Sequence, residues 1–271
     1  MIRDSPTGGE LLHNFVQISF FAIKRTVSYR DFPFLILILV APLLHVLNFR
    51  GELKTPMGKF LIQRNNILRW TVYGIFKTKF SYMRKLESAQ FRNMPCSTVL
   101  DVGANIGDFT VAILSKARQV LSVEPGRENF DILRSNLRSN SVSQVIPVNV
   151  AAHNSFEELT LIGNGGDLRV SRLNGGEHAK GMPLDHILQT YGFDHVDLLK
   201  IDVQGHEMKV LEGIRGSLKH HTAGLVIVET HPQRKVEATD IINFMQEFGY
   251  HVLATDYLIG KRPHLYFGSM E

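Results

Sequence analysis

Residues 98–108, Thr98-Val99-Leu100-Asp101-Val102-Gly103-Ala104-Asn105-Ile106-Gly107-Asp108, read as a strand, a tight turn and the start of a helix. The apolar run ends at Val102. Gly103 lets the backbone turn sharply, Asn105 tolerates a positive φ, and Gly107 allows helix and ligand to come close. In an open α/β sheet the ligand crevice lies outside the carboxyl ends of the strands, where this turn falls. The spacing is G-x-x-x-G, not the dinucleotide G-x-G-x-x-G, and the lysine of a phosphate-binding loop is missing. Asp101 therefore offers its carboxylate to a cationic or amino-bearing ligand, not to a diphosphate.

Downstream the rhythm repeats. QVLSVE (residues 119–124) is the next strand, and Glu124 at its end is placed to accept both hydroxyls of a ribose. VIPVNVA, VDLLKIDV, GLVIVETH, YHVLAT and HLYFG continue the series, with amphipathic helical stretches between. Near-continuous apolar strands alternating with helices predict a doubly wound α/β fold with a mostly parallel sheet covered on both faces. Residues 154–183 break the alternation with six glycines and predict a short hairpin or flap beside the cleft.

Upstream, residues 51–70 predict a small strand pair turning at Met57-Gly58, and residues 71–92 a helix with Val72, Ile75, Phe76, Phe80 and Met83 on one stripe. Phe32 to Leu47 is nearly all apolar, between Arg30 and Arg50. As a helix it would extend ~24 Å, short of a ~30 Å hydrocarbon core. Residues 11–50 are thus expected to form a short membrane anchor, an interfacial hairpin with the preceding FVQISFFAI, or a helix packed on the domain. The expected organisation is an N-terminal apolar segment over 1–50, a strand pair and helix over 51–95, and a catalytic domain over 96–271.

The proportions, 44% hydrophobic and 21% charged over 271 residues, are globular. The single cysteine, Cys96, excludes a disulfide within the chain, and 12 histidines without an H-E-x-x-H pattern lead to no expected metal. The net charge of +4 is unevenly spread. Residues 1–95 hold 14 Lys/Arg and 5 Asp/Glu, or +9, leaving 16 and 21, or −5, for the remainder. Spaced basic residues suit a solvated face or an anionic surface.

DVGANIGDFT, SVEP, NVAAHN, LDHIL, VDLLKIDVQGHE and ETHP together resemble the FkbM-type methyltransferases, from about residue 51 onward. The resemblance implies the class I methyltransferase fold, Rossmann-like with seven strands, S-adenosyl-L-methionine as cofactor, and methylation of a hydroxyl on a sugar, glycan or small natural product. It implies cofactor contacts from Asp101, Gly103, Ala104, Asn105, Gly107, Glu124, Asn149 and Asp202. Where the family usually has glutamate in DVEG, this chain has Gln204, which cannot act as a carboxylate base.

Asp202, His206 and Glu207 follow the fourth strand; Glu229 and His231 follow the fifth. Asp202, His206, His231 and Glu207 are the catalytic candidates, with either histidine able to take the acceptor proton. Lys200, inside its strand, is expected to form a structural ion pair. The alternatives are a nicotinamide-dependent oxidoreductase, opposed by the absent G-x-G-x-x-G, and a membrane-associated cofactor-binding protein without catalysis. No nucleic acid is expected as partner, since IDVQGHE is not a base-clasping Asp/Asn-Pro-Pro-aromatic motif. The expected location is cytoplasmic, with membrane association through residues 11–50.

Overall fold

All seven strands expected after Pro95 pair into one sheet. The computed structural model describes residues 49–62, 65–171, 175–258 and 262–269, with six single positions from 36 to 47. The strands are β3 (Thr98–Val102), β4 (Gln119–Val123), β5 (Val145–Val148), β10 (Val196–Ile201), β11 (Ala223–Glu229), β12 (Tyr250–Leu258) and β13 (Arg262–Ser269). Their order across the sheet is β12-β13-β11-β10-β3-β4-β5. Neighbours run parallel from β11 to β5, and only β13 runs against the rest. The chain winds outward from β3 to β5, then returns to β10 on the other side of β3. The loops after β3 and β10 therefore diverge, opening a crevice at that switch point.

The glycine-rich stretch is more than a hairpin. With β6 (Ala151–His153), the strands β7 (Glu157–Ile162), β8 (Arg169–Ser171) and β9 (Glu177–Pro183) form a second sheet in the order β6-β9-β7-β8. The turn from β7 to β8, around Gly165–Asp167, hangs beside the crevice as a flap.

Before the sheet lie β1 (Gly51–Thr55) and β2 (Gly58–Ile62), an antiparallel pair. The turn is one residue earlier than expected. Thr55 pairs with Gly58, so Pro56 and Met57 make the corner, and Thr55 Oγ1 accepts the Met57 and Gly58 amides. The following helix, α1 (Asn65–Lys77), starts ahead of the expected residue 71 and gives way to a π-helical turn over Thr78–Met83. Helix ends at Leu86, not at 92. Five of the six residues in the π-turn are buried. A regular helix would turn some of them to solvent; the wider turn keeps Phe80, Tyr82 and Met83 all in the core.

The remaining helices are α2 (Asp108–Ile113), α3 (Arg127–Ser139), α4 (Leu184–Tyr191), α5 (Glu207–Glu212), α6 (Arg215–Lys219) and α7 (Ala238–Gln246). One core cluster joins α4, α5 and α7 to one face of the sheet. Another packs the π-turn and Phe109 against the other face. A third joins β2, α1 and α3, and Ala41, Leu44 and Phe49 pack into it. Most of the run Phe32–Leu47 lies outside the described residues. Among those described, no helix is long and apolar enough to cross a membrane. Cys96 is a free, half-buried thiol.

Candidate active site

The turn after β3 is held by its neighbours on both sides. The Gly103 and Ala104 amides donate to Val123 O at 2.9 and 3.0 Å, stitching the turn to the end of β4. Gly103 has φ +76, and a Cβ there would sit 2.0 Å from the Asp202 carbonyl oxygen. Only glycine lets the loops after β3 and β10 touch. Asn105 takes the positive φ its side chain tolerates, 51°, which aims its amide at Glu124 Oε2, 2.8 Å away.

Glu124 also accepts the Gly126 amide and the Asn129 side-chain amide. Burial pushes its carboxyl up to about 7, against the pull of those donors. Gly103, Asn105, Glu124 and Asp202 all line one cleft, together with Asn129 and the flap residues Gly165, Asp167 and Leu168.

The other expected cofactor residues stand behind that surface. Asp101 is fully buried, its carboxylate held by Lys200 Nζ at 2.8 Å and Thr110 Oγ1 at 2.7 Å. Lys200 Nζ also donates to Gly103 O, so this buried pair braces the turn from beneath. Burial alone would lower the Lys200 pKa; Asp101 and Asp202 raise it above the usual lysine value. Asn149 Nδ2 donates to the Glu124 and Pro125 carbonyls and fixes the loop that carries Glu124. Ala104 is buried in the α1–α3 cluster, and Gly107 (φ 88°) begins α2 tight against Leu133.

Across the cleft the chain gathers a cluster of charges. Lys77 Nζ, from the end of α1, lies 2.5 Å from Asp202 Oδ2 and 3.0 Å from Glu229 Oε2. Tyr82 OH donates to Glu229 at 3.1 Å, and His264 Nε2 lies 3.2 Å from the same carboxylate. Burial would lower the lysine's pKa, but Asp202 and Glu229 hold it well above the ordinary value, so Lys77 is a cation. Burial would raise Glu229; Lys77 and His264 bring it well below the ordinary carboxylate value.

His231 is fully buried behind this group. Its Nδ1 lies 2.7 Å from Glu207 Oε1, and its Nε2, without a hydrogen-bond partner, faces Asp202 and Glu229 at 3.8 Å each. Glu207 holds His231 and also accepts the Gly205 amide, so neither lines the cleft. His206 does line it, stacked on His153 at 4.9 Å. Burial, then His153 and Lys209, push His206 down to about 4, which keeps it neutral and makes it a weak base. Gln204 adopts φ 58°, with its amide 3.4 Å from Asp202 Oδ1.

Asp202, Glu229 and His231 bring ligating atoms within 4.8 Å of one another, a set that could hold a metal ion. The position between the two carboxylates is taken by the Lys77 ammonium. Sequence reasoning missed Lys77, Tyr82 and His264. Nothing in the spacing marks them, since Lys77 reaches Asp202 across 125 residues and Glu229 across 152. The one signal was a lysine lying between Phe76 and Phe80 of the apolar stripe.

The arrangement is a cleft with the buried Glu124 carboxylate on one side and a charged cluster around Lys77 and Asp202 on the other. Comparison with known proteins identifies the family. A family model described as the methyltransferase FkbM domain matches residues 101–252. A hexuronic acid methyltransferase, AglP of Haloferax volcanii, is 28% identical over 174 residues, covering 60% of this chain and 70% of that protein. The crystal structure of a methyltransferase FkbM from Methylobacillus flagellatus superposes with a TM-score of 0.53 at 18% identity. It covers 96% of this chain, which spans 60% of that longer one, and the likeness is one of fold. On the family match over more than half its length, this chain belongs to the FkbM methyltransferase family.

Proposed function

We propose that this protein transfers a methyl group from S-adenosyl-L-methionine to a hydroxyl oxygen of a sugar or glycan. The observation that carries the proposal is the single cleft joining Glu124 to Asp202 across the turn at Gly103. The residues fit the cofactor. Glu124 is positioned to accept ribose hydroxyls, and Asn105 Oδ1 is buried without a partner, an acceptor facing no donor of the chain. Bound there, the cofactor would supply an electrophilic methyl on a sulfonium.

The chain's own part is to bind, align and exclude water. Gly103, Asn105 and Glu124 hold the nucleoside end, with Asp101, Ala104, Gly107 and Asn149 shaping that surface from behind. Asp202 faces the methionine end and the acceptor. Glu207 orients His231, and His231 backs Asp202. Gln204 steadies Asp202 as a neutral amide. His206, at the rim, serves better as a hydrogen-bond acceptor for the substrate than as a base. The named relative acts on hexuronic acid, which makes hexuronic acid glycosides the first acceptors to try.

The test is titration calorimetry of the full chain with S-adenosylmethionine, S-adenosylhomocysteine and NAD. It is followed by labelled-methyl transfer to hexuronic acid and neutral hexose glycosides, with mass spectrometry of the products. Micromolar binding of both adenosyl ligands and none of NAD is expected. NAD binding in preference to both would support the oxidoreductase alternative and sink this reading. Cofactor binding with no transfer to any glycan fraction would leave a binding protein.

A further inference from the structure

We infer that Lys77, delivered by the helix ahead of the catalytic sheet, is a catalytic residue whose ammonium binds and polarises the acceptor hydroxyl. The inference rests on the methyltransferase reading above and names the group that acts on the acceptor oxygen.

An ammonium has three N–H donors. Asp202 Oδ2 and Glu229 Oε2 take two of them. Lys77 also lines the cleft, its side chain 10% exposed, so the third donor has the cleft before it. Such a group is costly to bury unless it is paired, and here it is paired twice. Tyr82 and His264 meet the same Glu229 Oε2 that Lys77 holds, so the lysine is fixed within a group of residues that are themselves buried. The π-turn contributes to this frame. It begins at Thr78, whose hydroxyl donates to Asp108 at 2.6 Å and ties the end of α1 to α2, and it brings Tyr82 to the carboxylate that Lys77 holds.

The same pocket of oxygen and nitrogen atoms could suit a divalent cation. Lys77 already pairs with two of those three groups, through Asp202 Oδ2 and Glu229 Oε2, while His231 Nε2 faces their other oxygens. The ammonium supplies the positive charge that a developing alkoxide needs.

The step balances without a further reactant. The acceptor oxygen forms its bond to the methyl carbon with its own electron pair. The carbon–sulfur pair stays on sulfur, leaving a neutral thioether. The acceptor proton passes to Asp202 Oδ1, the oxygen not held by Lys77, and leaves to water with the product. Lys77 stays protonated throughout, donating its third hydrogen bond to the oxygen as charge builds there.

The test uses Lys77→Met, which keeps the bulk and removes the charge, in the full chain. Two readings are taken. The first is single-turnover methylation of whichever panel glycoside the wild type methylates. The second is the ratio of affinities for S-adenosylmethionine and S-adenosylhomocysteine, which needs no acceptor. Turnover should fall about 10²- to 10³-fold, as when a preorganised donor is lost from an oxyanion site. The ratio should rise about tenfold in favour of the sulfonium, because Asp202 in the cleft and Glu229 behind it lose their counter-charge.

Lys77→Arg covers the case in which Lys77→Met does not fold. It should melt like the wild type and keep the wild-type ratio. It should still turn over at least tenfold slower, since the planar head cannot take the same position. Near-wild-type turnover in either folded variant overturns the inference, as does turnover abolished by a chelator and restored by Mg²⁺ or Mn²⁺. If no panel sugar is methylated, an unchanged ratio in Lys77→Met overturns it alone. Failure of the wild type to bind either adenosyl ligand would instead overturn the proposed function.

Discussion

Glu124 carries a buried carboxylate at a point where both of its oxygens already face backbone donors. Its carboxyl is pushed up to about 7 by burial, which brings its titration into the neutral range. Ribose hydroxyls donate to the ionised form. Binding therefore lowers this pKa and releases a proton. Affinity for S-adenosylmethionine should hold above about pH 7 and weaken as the pH falls below it, by up to about tenfold per unit. Calorimetry from pH 5.5 to 8.5 would read this slope, and Glu124→Gln should flatten it. Glu124→Ala should lose ~1.5–3 kcal/mol of binding, the scale of hydrogen bonds to a charged group. A flat profile in the wild type would remove Glu124 from the ribose site. Asp101, the other acid of the first motif, is a contrasting case. Its charge is neutralised by Lys200 beneath the turn, and its influence on a ligand passes through the shape of that turn.

Two elements meet at the cleft, and each gives a separate expectation. The turn after β3 depends on the absent side chain of Gly103. Gly103→Ala would set a methyl 2.0 Å from the Asp202 carbonyl oxygen at φ +76. It should destabilise the fold by at least ~2 kcal/mol, roughly 4–8 °C in Tm for a domain of this size. Cofactor affinity should drop with it, because the loop bearing Asp202 must give way. Thermal unfolding with and without cofactor would check both. The flap between β7 and β8 is held differently. Arg234 bridges the Asp167 carboxylate and donates to Gln204 O at 2.6 Å, linking the flap to the loops after β10 and β11. Asp167 is about half exposed, so this ion pair adds at most ~1 kcal/mol. Arg234→Ala should leave the melting temperature nearly unchanged while releasing cofactor up to about fivefold faster in surface plasmon resonance. An unaltered release rate would mean that the flap does not gate the cleft.

At the scale of the whole molecule, the region ahead of the sheet is continuous with the site. Tyr73, Gly74 and Lys77 of α1 line the cleft, and Ala41, Leu44 and Phe49 pack against the cluster that holds α1 in place. Removing residues 1–50 should therefore destabilise the protein, at ~1.5–3 kcal/mol for each large apolar contact fully lost. Removing residues 1–35 spares those contacts and should cost less than removing 1–50. Equal melting of both truncations would count against this packing. Ile36, Val40, Leu43 and Leu47 are 47%, 38%, 56% and 66% exposed and recur at helical spacing. With the basic surplus nearby, full-length protein is expected to float with anionic liposomes at low salt, and protein lacking residues 1–50 to stay behind. Full-length protein that also stays behind would refute this membrane contact.

What the sequence determined by itself was local and periodic. The seven strands, the turn at Gly103 and the acid at the end of β4 follow from burial patterns and from glycine's freedom, both of which act over a few residues. Asp202 and His231 could be placed near the cleft because the ends of neighbouring strands in such a sheet share one edge. Tertiary structure decided which charges meet. Periodicity reports that a residue is buried, not what it is buried against. Asp101 could have faced the ligand, but it turned inward because Lys200 on the adjacent strand β10 stands opposite it. Lys77 sits in a stripe of core residues and became part of the site through two carboxylates more than a hundred residues away. Electrostatic pairing of that kind depends on distance in space, and no spacing along the chain encodes it.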